Sequence, residues 1–187
     1  MYRFYIFDVD GTLIDSMPMW HELGRLYLAS KGKDSPADLY DTIELMTLNE
    51  VAEFFIENYG ITDSVEQIKA DIAAVIYHQY SEVIEPIEAP LEELRKLQRE
   101  GARMIALSTS DADCIRATLE RLGVLEGFEA IYSADDFGLG KDKPEIWRMA
   151  CEMHGVSAEE TAVYEDSAYA MEAAAAAGCT VIDATKL

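Results

Sequence analysis

Two acidic residues follow the first apolar run of the chain, at a spacing that could support catalysis. The run Phe4–Phe7 is short, aromatic and β-branched, which is typical of a buried parallel strand, and Asp8 and Asp10 come directly after it. Ligands of open parallel sheets bind outside the carboxyl ends of the strands. Because side chains alternate along an extended chain, both carboxylates reach one pocket only if the chain turns there, and Gly11 supplies that freedom.

Polar residues end three further apolar runs of the chain. Ser108, Thr109 and Ser110 follow one of them, Glu165 and Asp166 follow another, and a polar loop that reaches Lys141 follows the third. The predicted strands are Arg103–Leu107, Phe128–Tyr132 and Thr161–Tyr164, and the helices between them are Leu91–Glu100, Ala112–Leu122, Pro144–His154 and Ala168–Ala177. This alternation predicts βαβ units and an α/β fold with a Rossmann-like, doubly wound parallel sheet. Such a sheet brings the polar strand ends together at one edge.

The alternation of strands and helices stops after Asp15. Residues 16–84 have apolar residues at helical spacing, and Ser64, with Gln67 three positions later, is well placed to cap a helix. The predicted helices run up to Gly32 and over residues 37–46, 49–59 and 64–83. We therefore predict that residues 1–15 and 85–187 form the catalytic core and that residues 16–84 form an inserted domain of four helices.

Four segments of the chain resemble the motifs of the haloacid dehalogenase superfamily. They are DVDGTLIDS from Asp8 to Ser16, the strand-ending Thr109, Lys141 in GKDKPEIW, and YEDSAYAMEAAAAAG from Tyr164 to Gly178. The resemblance covers nearly the whole chain and is to the branch of β-phosphoglucomutase-like and phosphoglycolate-phosphatase-like enzymes. The first and last motifs are specific in combination, whereas a single threonine after a strand is weak evidence.

The third motif departs from the family pattern. Family members commonly have Lys-Pro there, whereas here Lys141 is followed by Asp142, Lys143 and Pro144. The register on Pro144-Glu145-Ile146 favours Lys141 as the motif lysine, and Lys143 is the alternative.

The resemblance implies roles in phosphoryl transfer for five of these residues. Asp8 is expected to attack phosphorus and form an aspartyl phosphate, and Asp10 is expected to act as general acid and then as general base. Thr109, Ser110 and Lys141 are expected to bind the phosphoryl oxygens of the substrate. Fixed positive charge and hydrogen-bond donors supply much of the catalysis in this chemistry.

The resemblance also implies a metal site among the acids. Mg²⁺ would contact Asp8, the backbone carbonyl of Asp10 and Asp166, and Glu165 is either a further ligand or a partner outside the ligand set. Oxygen ligands beside a phosphate suit Mg²⁺, which uses one or two carboxylates and keeps several waters.

The resemblance to this branch predicts a Mg²⁺-dependent phosphatase of small phosphorylated metabolites. Asp10 favours phosphate esters, since the dehalogenases of the superfamily lack this acid and the phosphonatases have a small residue in its place. The alternatives are a sugar phosphomutase of the β-phosphoglucomutase type and a non-catalytic relative that binds a metabolite or partner. Mutases of this branch have an arginine for the distal phosphate, but residues 46–50 include no basic residue. The basic residues of the insertion are Arg25, Lys31, Lys33 and Lys69, of which Lys31 and Lys33 are interpreted as solvated.

Composition limits the partners and the location of the protein. The net charge of −21 over 187 residues argues against nucleic acid and against an anionic membrane surface as partners. No apolar run approaches the length of a membrane span, and the N-terminus becomes acidic by Asp8, which argues against a secretory signal. The three cysteines are scattered without metal-ligand spacing, which predicts reduced thiols in a cytoplasmic protein.

Overall fold

A computed structural model describes residues 2–44 and 46–187 and divides the chain into two compact units. Met1–Ser16 and Ile84–Leu187 make up the first, which we call the core unit, and Met17–Val83 make up the second, which we call the helical unit. The predicted domain boundaries lie one residue from these divisions.

The core unit contains one parallel sheet. Its five strands are β1 (Phe4–Phe7), β2 (Met104–Ser108), β3 (Ala130–Ser133), β4 (Thr161–Glu165) and β5 (Thr180–Asp183), in the order β3-β2-β1-β4-β5. The helices of this unit are α5 (Glu88–Arg99), α6 (Ala112–Arg121), α7 (Pro144–Met153) and α8 (Ala168–Ala177). The predicted α/β fold with a doubly wound parallel sheet is confirmed.

The central strand is buried on both faces, as its unbroken apolar sequence requires. Phe4 and Ile6 belong to a core cluster with Trp147 of α7, and the Phe7 ring stacks on Tyr164 with centroids 4.3 Å apart. Phe7 pairs in register with Ala106 of β2 on one side and Tyr164 of β4 on the other. The three strands therefore end side by side, and the residues after them meet at one edge.

The ends of the predicted strands shift by one or two residues, and one strand was missed. The third strand in the sequence begins at Ala130 instead of Phe128, because the Phe128 amide closes a helical turn by donating to the Leu125 carbonyl. The fifth strand was missed: β5 is a four-residue edge strand whose side chains are all at least partly exposed. Its short apolar content gives little periodic signal.

The helical unit consists of α1 (Met17–Ser30), α2 (Leu39–Ile43), α3 (Leu48–Tyr59) and α4 (Val65–His78), followed by a π-helical turn, Gln79–Val83. The predicted cap of α4 is confirmed, since the Ser64 hydroxyl accepts from the Gln67 amide at 3.2 Å. The second helix is shorter than predicted, and residue 45 of the predicted helix lies outside the described residues. Buried apolar residues, including Tyr27 and Phe55, fill the space between the helices. Within the described part of the chain, no helix has the length and apolar character needed to cross a membrane.

Candidate active site at the carboxyl ends of the strands

Asp8 continues the central strand by one residue before the chain turns. Its amide donates to the Tyr164 carbonyl at 3.0 Å, and its side chain is buried. The amides of residues 12–14 all donate to the carbonyl of Val9, and Gly11 has a φ of 82°. This tight turn is the one that the sequence required after Asp8.

Gly11 also makes room for the acid that follows β4. A Cβ at this position would collide with the carboxylate of Asp166, so a side chain would displace that carboxylate and would also strain the backbone. The Thr12 hydroxyl donates to the Asp166 Oδ1 at 3.5 Å. The turn after β1 therefore holds Asp166 against the strand end that carries Asp8.

Lys141 lies between two buried carboxylates. Its Nζ donates to the Asp8 Oδ1 at 2.6 Å and forms an ion pair with the Glu165 Oε2 at 2.5 Å. The three side chains are 3%, 5% and 1% exposed, respectively. Trp147 supports the loop, since its Nε1 donates to the Lys141 carbonyl at 3.1 Å and its ring lies 5.6 Å from the Lys141 Nζ. The alternative Lys143 is more than half exposed and pairs with Asp142 on the surface.

Both carboxylate oxygens of Glu165 contact other groups of the site. The Oε1 accepts from the amides of Asp166 and Ser167 and, at 2.7 Å, from the Ser167 hydroxyl, while the Oε2 faces Lys141. A carboxylate bound in this way has a fixed orientation and in turn fixes the ammonium group of the lysine.

The acids are close enough to hold a cation. Carboxylate oxygens of Asp8, Glu165 and Asp166 lie within 4.8 Å of one another. The Asp8 Oδ2 is buried and receives no hydrogen bond from any residue that the structure describes. When these acids and Lys141 are all ionised, two negative charges remain uncompensated. An orphaned buried oxygen and this excess charge fit a hard divalent cation.

Burial and mutual repulsion perturb the titration of the site. Burial, with repulsion from Glu165, outweighs the attraction of Lys141 and raises the pKa of Asp8 to about 7. Burial and Glu165 raise the pKa of Asp166 to about 6. Burial opposes the charge of Glu165, but Lys141 and Ser167 prevail and lower its pKa. Burial likewise opposes the charge of Lys141, and its two carboxylate partners prevail and raise its pKa.

Thr109 and Ser110 follow β2, and Asp10, in the turn after β1, contacts the end of that strand. The Asp10 Oδ2 accepts from the Ser108 hydroxyl at 2.8 Å, and the Ser110 amide donates to that same hydroxyl at 2.9 Å. Thr109, between the two serines, has an exposed side chain. The structure therefore brings together Asp8, Lys141, Glu165 and Asp166 directly, and it links Asp10 to the end of β2. Ser108 was not predicted as a site residue, and a hydroxyl at the end of an apolar strand is the signal that could have found it.

Comparisons with known proteins agree on one family. The model of the haloacid dehalogenase-like hydrolases matches residues 2–178. A phosphorylated carbohydrates phosphatase of Thermotoga maritima is 30% identical, with 92% of this chain and 80% of the relative aligned. The fructose-1-phosphate phosphatase YqaB of Escherichia coli is 27% identical, with 98% of each chain aligned.

A solved structure shows the same likeness. A crystal structure from Thermotoga maritima, provisionally identified as a β-phosphoglucomutase, has a TM-score of 0.82 and 27% identity, and covers 97% of this chain and 84% of its own. The family model spans nearly the whole chain and includes all four motifs. This chain is therefore an enzyme of the haloacid dehalogenase-like hydrolase family, in the branch of the β-phosphoglucomutase-like and phosphoglycolate-phosphatase-like proteins.

Proposed function

We propose that this enzyme is a Mg²⁺-dependent phosphatase that hydrolyses small phosphorylated metabolites through an aspartyl-phosphate intermediate. The observation that carries the proposal is the buried Asp8 at the end of the central strand, with Lys141 on one oxygen and the other oxygen orphaned. The two curated relatives are named as phosphatases of phosphorylated carbohydrates and of fructose 1-phosphate. These names support a phosphorylated sugar or a similar small ester as the substrate.

Two displacements at phosphorus account for the reaction. A carboxylate oxygen of Asp8 attacks phosphorus in line, and the bond to the ester oxygen breaks as Asp10 gives that oxygen a proton. Water then attacks phosphorus, Asp10 takes up the proton of the water, and the bond between phosphorus and Asp8 breaks. Asp8 and Asp10 return to their starting states, and one alcohol and one phosphate leave.

Lys141 would bind the oxygens of the transferred phosphoryl group, together with Thr109 and Ser110. Its ammonium group is buried, so its field is less screened than that of a surface lysine. Glu165 would keep the ammonium group in place through the ion pair at 2.5 Å. The lysine therefore lowers the repulsion between an anionic nucleophile and a dianionic substrate.

Asp8 and Asp166 would hold Mg²⁺, together with the backbone carbonyl of Asp10. Glu165 already binds Lys141 and the turn at Ser167, which supports a place outside the ligand set. When bound, the cation would neutralise charge on the transferred phosphoryl group. We further propose that the helical unit acts as a cap, a mobile domain that selects substrates, as the family resemblance implies. We also propose that the enzyme works in the cytoplasm, where its three free thiols stay reduced.

The first experiment is hydrolysis of 4-nitrophenyl phosphate with Mg²⁺ and with EDTA. We expect turnover that depends on Mg²⁺, followed by a preference among phosphorylated sugars when a metabolite panel is assayed for released phosphate. Absence of phosphate release from every ester, in a folded and Mg²⁺-loaded protein, would contradict the proposal and favour a non-catalytic binding protein.

A sugar phosphomutase is the second candidate, favoured by the similarity to the structure provisionally identified as a β-phosphoglucomutase. A mutase needs a cation for the distal phosphate of its bisphosphorylated intermediate. In the helical unit, Arg25 is paired with Glu22, and Lys31 is paired with two aspartates. The Lys69 Nζ donates to the neutral side chain of Asn49 at 3.0 Å, so this contact does not neutralise its charge.

The two candidates differ in the product that they release. We would supply β-glucose 1-phosphate with a catalytic amount of β-glucose 1,6-bisphosphate and Mg²⁺, and follow glucose 6-phosphate and free phosphate separately. Phosphate release supports the phosphatase. Rapid formation of glucose 6-phosphate with negligible phosphate release would support the mutase, and its loss in Lys69→Ala would identify the distal cation.

A further inference from the structure

Ser108 is a buried hydroxyl at the edge of the site to which none of the roles above has been given. It is the last residue of β2 and has no exposed surface, and the four residues before it are apolar and buried. A hydroxyl placed in such surroundings needs hydrogen-bond partners, because an unpaired buried donor is costly. The identity of its partners therefore indicates what the side chain does.

Ser108 makes one hydrogen bond as an acceptor and one as a donor. Its Oγ accepts from the Ser110 amide at 2.9 Å. Its hydroxyl donates to the Asp10 Oδ2 at 2.8 Å. Ser108 thus donates to the acid and is itself held by the backbone of the following turn.

Two other buried serines show that burial alone does not produce this arrangement. Ser16 is equally buried, yet its hydroxyl makes no hydrogen bond to the residues that the structure describes. Ser133 pairs with Ser108 in the register of β2 and β3, and its hydroxyl accepts from the Asp135 amide, which caps a helical turn. Ser108 differs from both because its partner is a carboxylate of the site.

We infer that Ser108 is a positioning residue that orients Asp10 for its two proton transfers, an inference that rests on the proposed function. With the Oδ2 receiving the serine proton, the transferable proton of Asp10 is carried by the Oδ1. The Oδ1 gives that proton to the ester oxygen as the bond to phosphorus breaks, and it receives a proton from the attacking water in the second displacement. The hydroxyl of Ser108 keeps its own proton throughout.

The test compares the first-turnover rates of two esters in the wild type, in Ser108→Ala and in the matched control Ser133→Ala. Nitrophenolate leaves without protonation, whereas the alkoxide of an alkyl phosphate needs it. Because general acid catalysis contributes roughly 10²–10⁴-fold, we expect Ser108→Ala to slow the alkyl ester about 10- to 100-fold. In Ser108→Ala, the rate for the nitrophenyl ester should change by less than about 3-fold, because this leaving group needs no acid. In Ser133→Ala, the rates for both esters should change by less than about 2-fold, because Asp10 keeps its hydrogen bond from Ser108.

A second measurement distinguishes an effect of Ser108 on Asp10 from an effect on the turn that contains Thr109 and Ser110. If Ser108 acts through Asp10, the inhibition constant of inorganic phosphate stays within about 2-fold of the wild type in Ser108→Ala. Equal losses for both esters, with a weaker affinity for phosphate, would mean that Ser108 only shapes the turn, and would overturn the inference. Ser108→Thr keeps the hydroxyl and should restore the ratio between the esters, and it serves as the test if the alanine variant does not fold.

The outcomes also separate this inference from the proposed function. A folded wild type without turnover of either ester would contradict the phosphatase itself. A wild type that hydrolyses both esters, with an alanine variant that leaves their ratio unchanged, would contradict only the role of Ser108.

Discussion

Each unit of the molecule contains a lysine that lies between two carboxylates, but the two clusters differ in burial. In the core unit, Lys141 lies 2.6 Å from Asp8 and 2.5 Å from Glu165. In the helical unit, Lys31 lies 2.8 Å and 2.5 Å from two aspartates. The side chains of the first cluster are at most 5% exposed, whereas those of the second are 27% to 35% exposed. Similar ion pairs therefore occur in two environments that differ in their exposure to water.

The difference in burial changes what the charges do. In the core unit, burial raises the pKa of Asp8 to about 7 even though a lysine touches it, so the charged cluster is under electrostatic strain that a cation would relieve. In the helical unit, hydrogen bonds from Lys31 and Gln67 lower the pKa of Asp71, because water still solvates the pair. We conclude that burial, more than the identity of the residues, makes the first cluster a candidate for chemistry and the second a surface link between helices.

The largest effect is expected from removing the buried lysine. Lys141→Ala should lower kcat/KM by at least about 1,000-fold, which corresponds to about 4 kcal/mol of transition-state stabilisation. The matched control Lys143→Ala, an exposed lysine two residues away, should stay within about 3-fold of the wild type. Hydrolysis of a phosphate ester measures both, and circular dichroism establishes that the variants are folded. An inactive Lys143 variant beside an active Lys141 variant would show that the third motif is aligned wrongly by two residues.

Mg²⁺ should stabilise the protein by binding at the buried cluster and not at the Lys31 cluster. Mg²⁺ at about 100 times its dissociation constant should stabilise the protein by about 2.7 kcal/mol, seen as a rise in the melting temperature. Asp166→Asn should remove most of that rise, because the substitution takes away one of the proposed ligands. Asp63→Asn is the control, since it removes a carboxylate from the other lysine cluster and should leave the response to Mg²⁺ intact. Equal responses in the two variants would contradict the proposed ligand set.

The two clusters should give opposite pH dependences in EDTA. The folded protein keeps a proton on Asp8 up to about pH 7, whereas the unfolded chain releases it near 3.8, so this residue makes stability fall as the pH rises between those values. The lowered pKa of Asp71 has the reverse sign, and its contribution is lost as the pH falls below 3.8. The free energy of unfolding in urea, measured at several pH values for Asp8→Asn, Asp71→Asn and the wild type, gives the contribution of each carboxyl group. A steeper fall of stability with rising pH in Asp8→Asn than in the wild type would contradict the assignment.

The smallest effect is expected at the exposed lysine. Lys31→Met should lower the melting temperature slightly, and the difference should shrink in high salt because the cluster is partly exposed to solvent. Its kcat should stay within about 2-fold of the wild type, since the residue has no proposed part in the chemistry. A large loss of activity in a folded Lys31 variant would show that the helical cluster serves more than stability.

The sequence predicted the parts of the site that depend on local pattern. Asp8, Asp10 and Asp166 each follow an apolar run that ends abruptly, and parallel strands must bring such ends to one edge. The pairing of Asp10 with Ser108 could not be read in this way. These residues are 98 positions apart, and their contact depends on how far β2 extends beyond its neighbour. Strand register of that kind is set by tertiary packing and not by composition.

Lys31 is a partly exposed turn residue, as interpreted from the sequence, but its two ion pairs were missed. Its partners, Asp63 and Asp71, are 32 and 40 positions away, on segments that only the packing of the helical unit brings together. The capping box of α3, formed by Thr47 and Glu50, was also missed, although its sequence signature is local. The ion pairs of Lys31 depend on long-range contacts, whereas the capping box could have been read from the sequence.

The most direct test of the account is to trap the phosphoryl group on the nucleophile. The Mg²⁺-loaded enzyme would be mixed with a rapidly cleaved phosphate ester and quenched in acid within one turnover, and the peptides would be mapped by mass spectrometry. We expect an acid-stable, hydroxylamine-sensitive acyl phosphate at Asp8, and no phosphopeptide in Asp8→Asn, whose activity should fall below about one-thousandth of the wild type, or by about 4 kcal/mol. A phosphoryl group on another residue, or an Asp8→Asn variant that keeps more activity than this, would contradict the central claim.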